Sequence, residues 1–175
     1  MNTTPNDMKY LTRLLLIALV ALTIPATLCQ ASVEPELTMA IRQKNVQKVQ
    51  HLLANGANVD ARDEEAEQTP LMCAVQIHNA VLVQILLAHG ATVNVQDDFG
   101  KTALMFAAES DDAEIVRLLL RKGANPSAKD ANAVTATDMA RKHGRTAVCS
   151  LLAHARQKTV LKAMRSGLHF VATTR

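Results

Sequence analysis

A block that returns every 33 or 34 residues constrains this chain more than anything else in it. Leu52-Leu53 followed by Gly56-Ala57 comes back as Leu86-Leu87 with Gly90-Ala91, then as Leu119-Leu120 with Gly123-Ala124. Thr69-Pro70-Leu71 returns as Thr102-Ala103-Leu104 and, more loosely, as Thr135-Ala136-Thr137. In both complete copies 21 residues separate the Thr from the following Gly. A fixed period of this length means a solenoid of like supersecondary units rather than one irregular globule. Such a stack works as a surface more often than as a catalytic pocket.

Within one copy the physics is helical. The threonine hydroxyl can cap a first helical turn, and Pro70 at the first helical residue loses nothing by lacking an N–H. Leu104, Ala107 and Ala108 recur at helical spacing, and the alanines allow a neighbouring helix to approach. Glu109 to Asp112 breaks that helix. A second one carries Ile115, Val116, Leu118, Leu119 and Leu120 on a broad apolar face and ends at Gly123, which adopts the left-handed conformation without a Cβ clash. Asn125 to Thr135 is polar and crosses to the next unit.

Asp97-Asp98-Phe99-Gly100-Lys101-Thr102-Ala103-Leu104, Ile115-Val116-Arg117-Leu118-Leu119-Leu120 and Gly123-Ala124-Asn125 closely resemble the ankyrin-repeat pattern. The resemblance covers roughly Glu36 to Ala155. It implies an all-α solenoid of about four helix-turn-helix units, with short hairpin-like fingers at Asp63–Thr69, Asp97–Thr102 and Asp130–Thr135. The expected organisation is a secretory signal at 1–31, units at approximately 35–66, 67–99, 100–132 and 133–158, and a basic tail at 159–175. The polar dressing of the first and last units suits end caps. The first finger has an extra residue and no Gly, and Ala133 replaces Gly in the last; both are expected to be bent or loose. In the tail, Val160, Leu161 and Met164 extend the last helix, with Gly167 as the expected stop.

The N-terminus reads as an address. Lys9 and Arg13 precede the apolar run Leu14 to Leu22, then Thr23, Pro25 and the small-residue stretch at Cys29-Gln30-Ala31-Ser32. This is the order of a secretory signal, with cleavage expected after Ala31. The run is shorter than the about 20 apolar residues a spanning helix needs. The expected location is therefore periplasmic or secreted, with no membrane contact after cleavage. Together with the repeats, the signal resembles the small periplasmic ankyrin proteins of Gram-negative bacteria.

Charge is unevenly placed. Between Ser32 and Asp130 acids outnumber bases, whereas beyond Ala131 only Asp138 faces Arg141, Lys142, Arg145, Arg156, Lys158, Lys162, Arg165 and Arg175. This is either a solvated cap with a basic tail, or a bipolar surface that orients a partner. The basic end has almost no aromatics on which bases could stack, which argues against nucleic acid. Cys73 and Cys149 fall in units two and four, roughly 20 Å apart at an 8–10 Å helix spacing, so both are expected to be buried free thiols.

No catalytic, cofactor or metal constellation emerges. The six histidines form no pair at metal-ligand spacing, and no phosphate loop, nucleophile elbow or calcium loop is present. The resemblance instead implies a protein-binding face, concave and lined by finger tips and the outward residues of the first helices. The candidates are Arg42, Gln43, Gln76, Ile77, His89, Asp98, Phe99, Lys101, Glu109, Ser110, Lys142 and His143. Arg62, Gln68, Gln96 and Lys129 are further finger positions. Ile77 and Phe99 are the apolar anchors of this polar set; Phe99 either binds or packs on the neighbouring finger. Phe106 is expected to be packed. The implied function is a non-catalytic module, monomeric in isolation, that binds another exported or envelope protein. It either supports a periplasmic enzyme or, alternatively, neutralises a delivered toxin or acts on a host protein.

Overall fold

The computed structural model describes residues 34–63 and 67–172. The leader, the middle of the first finger and the last three residues lie outside the described residues, as does the expected cut after Ala31. Four helix pairs follow one another: α1 (Glu34–Arg42) with α2 (Val46–Ala54), α3 (Pro70–Gln76) with α4 (Ala80–Ala88), α5 (Ala103–Glu109) with α6 (Ala113–Arg121), and α7 (Ala136–Lys142) with α8 (Thr146–Ala172). First helices pack on first helices (α1 on α3, α3 on α5, α5 on α7). Second helices pack on second helices in the same order. Two parallel rows result, and the apolar residues between them form one continuous core from Leu37 to Leu152. This is the expected all-helical solenoid.

Local chemistry starts and stops each helix. Thr69 accepts from the Met72 N–H, and Thr135 forms a reciprocal capping box with Asp138. Thr102 departs from the expectation. Its backbone carbonyl receives the N–H groups of Met105 and Phe106, while its hydroxyl, buried, caps nothing. The second helices are capped by Asn45, Asn79 and Asp112, each accepting from the N–H three residues on. Gly56, Gly90 and Gly123 follow these helices with φ of 86°, 88° and 87°, which is the left-handed stop expected of them.

The tight turns inside the units also use left-handed backbone, at Lys44, His78, Asp111 and Gly144, of which only the last is glycine. In the fingers, Ala133 takes φ 61° where Gly100 takes 73°. The last finger is therefore closed rather than loose: the Asp130 N–H bonds the Val134 carbonyl, and Lys129 bridges Thr135. Gly167 does not stop the final helix, which runs unbroken to Ala172. A lone glycine costs a helix only about 1 kcal/mol, and no proline reinforces it here.

Among the described residues no helix is long and apolar enough to cross a membrane.

Candidate functional site

The second and third fingers are fixed platforms rather than free loops. In the second, Asp97 is buried and its Oδ1 accepts the N–H groups of Phe99 and Lys101, 3.0 and 2.7 Å away. The Asp97 N–H bonds the Lys101 carbonyl, closing the hairpin. The third finger then docks onto the second through the Ala131 N–H and the Phe99 carbonyl, 2.9 Å apart. So the Phe99 backbone is held on both sides while its side chain remains 62% exposed. Of the two readings open for Phe99, the backbone bond to the next finger is made, while most of the residue stays exposed.

Side chains stitch the crossings together from unit to unit. Asp60 accepts from the Thr92 N–H and hydroxyl, and Asn94 accepts from the Asn125 N–H while donating to the Gly123 carbonyl. Gln96 donates to the carbonyls of Gly100 and Lys129, at 2.7 and 2.9 Å. Gln96 was expected among the contact positions; its amide is instead committed to the frame. Residue types alone do not reveal this, because Asp, Asn and Gln in a polar crossing look equally ready to meet a partner.

Between the second finger and the first helices lies a connected patch. Lys101 runs along α5, with Nζ 5.3 Å from the centre of the half-buried Phe106 ring and 3.6 Å from Glu109. His143, at the end of α7, lies 3.6 Å from the same carboxylate. Arg145 donates Nε to the Glu109 carbonyl at 3.4 Å. Three of the expected residues, Lys101, Glu109 and His143, thus meet across units three and four. Phe106 packs against the core as expected, and its ring stays partly open beneath Lys101. Ser110 closes back on its own helix, its hydroxyl bonding the Phe106 carbonyl at 3.0 Å.

The remaining candidates are dispersed. Arg42 is exposed and reaches Asp63 at 3.5 Å, while Arg62 pairs with Glu67 within the first finger. Gln43, Gln76, Asp98 and Lys142 are exposed. His89 is exposed too, but it caps the end of α4 and so belongs to the second-helix row. Ile77 is half-buried and packs against the core, which reduces what it can offer as an outward anchor. Its place after the last turn of α3 made it look external.

Cys73 is buried and Cys149 only half-buried; both are free thiols. Burial pushes the Cys73 thiol up, outweighing the opposing pull of the Arg42 guanidinium. It is held protonated and is a poor nucleophile. Among the described residues no group of His, Cys, Asp and Glu gathers that could hold a metal ion.

The comparisons agree with this architecture. The family profile described as "Ankyrin repeats (3 copies)" matches residues 37–130 and again 92–164. No curated protein matches the chain. Together these matches span most of the sequence and all four helix pairs. Members of this family are generally protein-interaction modules and typically non-catalytic. This chain belongs to the ankyrin-repeat family.

Proposed function

We propose that the chain is a non-catalytic binding module that holds another exported or envelope protein on the face shared by its fingers and first helices. The observation that carries the reading is Phe99: an aromatic side chain, 62% exposed, on backbone fixed by Asp97 and by the third finger. An aromatic anchor pre-ordered in this way loses little entropy on binding and fills a partner's pocket. Lys101, Glu109 and His143 supply a polar rim beside it. The export part of the reading rests on the leader-like order of basic, apolar and small residues at the N-terminus. Support of a periplasmic enzyme is the role we assign within that compartment.

The test uses the immobilised chain and envelope extract, with the Phe99→Ala variant as the matched control. The expected result is a protein retained by the wild type and lost from the variant, with both melting at the same temperature. Measured on the purified partner, Phe99→Ala should cost about 2 kcal/mol, roughly thirtyfold in affinity. Equal retention by the folded variant overturns the reading.

A further inference from the structure

On the second-helix side of the stack, away from Phe99, a groove of about 840 Å³ lies between α6 and α8. It exists because α8 does not stop where its counterparts do. The earlier second helices end at Ala54, Ala88 and Arg121, and the same position in the last unit is His154. Helix α8 continues past it, so residues 155–159 form a wall beside the turn at 123–126.

The groove has a sorted lining. Leu120, Leu151 and Pro126 give it an aliphatic base, and no Phe, Tyr, Trp or acidic side chain lines it among the described residues. Arg117 and Arg121 stand one helical turn apart on one wall; His154 and Lys158 repeat that spacing on the other. All four are exposed. Some cations elsewhere are matched, Arg42 with Asp63, Lys48 with Glu36, Lys101 with Glu109 and Arg141 with Asp138, while others such as Lys122, Lys129 and Lys142 take part in no ion pair among the described residues. Among the described residues, none of the four groove side chains takes part in an ion pair. Arg117 and Arg121 on one side and Lys158 on the other give the groove a basic lining that attracts an anionic occupant.

We propose that this groove binds an acidic peptide segment that also carries aliphatic side chains, its carboxylates meeting the two basic walls and its aliphatic groups the base. Nucleic acid fits less well, since no Phe, Tyr or Trp lines the groove to stack a base and its aliphatic base offers nothing to a polar sugar–phosphate chain. A flat anionic membrane does not reach a recessed aliphatic base. The proposal is independent of the face that carries Phe99.

The experiment is fluorescence anisotropy on the full chain with a short fluorescein-labelled peptide alternating glutamate and leucine. Binding is expected, weakening as salt rises, and falling roughly tenfold or more in Arg121→Glu with Lys158→Glu. These positions are exposed, so the melting temperature should stay close to that of the wild type. Phe99→Ala should bind this peptide normally. A peptide alternating lysine and leucine should not bind, and one alternating glutamate and glycine should bind more weakly. The proposal is overturned if the charge-reversed variant binds as the wild type does, or if the glycine peptide binds equally well. Tighter binding of a single-stranded oligonucleotide than of the glutamate–leucine peptide also overturns it.

Discussion

Gly100 and Ala133 occupy the same place in consecutive fingers and both take left-handed backbone, but only one of them can be exchanged without harm. A Cβ on Gly100 would sit 2.8 Å from the Ala131 nitrogen and 3.1 Å from the Asp130 carbonyl carbon, against the backbone of the next finger. Gly100→Ala should therefore destabilise by about 1–3 kcal/mol, from strained φ and from the displaced contact together. Ala133→Gly should do the opposite. It relieves about 1–2 kcal/mol of left-handed strain at an entropic cost of about 0.5–1 kcal/mol, a net gain of up to about 1.5 kcal/mol. Urea melts of the two variants check both signs; a stabilising Gly100→Ala would show that the fingers do not stack as described. The sequence pattern revealed that Ala133 departs from the family, but not that the backbone tolerates it. Likewise it could not show that Lys44, His78 and Asp111 adopt left-handed turns, since none of those residue types demands one. That Ile77 packs partly against the core and that the Gln96 amide spans two fingers was hidden for a related reason. Whether a side chain turns inward or spans two units depends on neighbours far away in the chain.

Among the elements, the helices were the most legible, because period and capping residues both mark them. The hidden part was which caps work. Thr69, Thr102 and Thr135 share a position, yet the last alone builds a full capping box, with Asp138 bonding the Thr135 hydroxyl at 2.6 Å and its N–H at 3.1 Å. Hydrogen bonds from the Thr135 hydroxyl and then its N–H hold the Asp138 carboxyl below the ordinary carboxylate value of 3.8, with a smaller contribution from Arg141. A carboxyl whose folded pKa is lowered stabilises the fold fully above its unfolded value, and that contribution disappears as pH falls through the folded value. Helix α7 should thus keep its cap at neutral pH and weaken only on acidification below about pH 4. Comparing Asp138→Asn with the wild type isolates the effect: the stability difference between them should shrink as pH drops through that window. A difference that stays constant from neutral to acid would place the capping energy elsewhere. The side chain is largely open to solvent, so the effect belongs to the small end of capping energies.

On the scale of the whole molecule, stability is a sum over units and the seams between them. Units two and three are packed on both sides, while the first and last have one neighbour each. The long α8 does not redress this for the last unit. Among its described side chains Leu152 is the last fully buried one, and 156–161 are all exposed, so these turns shape the groove without enlarging the core. A stack with a continuous core was readable from the spacing, since each unit buries its apolar face only against the next, and the ankyrin resemblance implied the count of about four units. The consequence of α8's length was not, because a helix read as a tail gave no hint of what it would lie beside. Two equally buried leucines separate the contributions. Leu86→Ala in α4 strikes a unit with seams on both sides, and Leu152→Ala strikes the end; each removes about 2–5 kcal/mol of packing. Hydrogen exchange followed by mass spectrometry should show Leu152→Ala accelerating α7 and α8 while leaving α1 to α4 near their wild-type rates, as an end unit opens alone. Leu86→Ala should accelerate every helix, because neither half of the stack retains enough seams to stay closed without its centre. If Leu152→Ala instead raised exchange uniformly from α1 to α8, the four units would open as one cooperative body, and the proposed binding face around Lys101, Glu109 and His143 could not loosen without global unfolding.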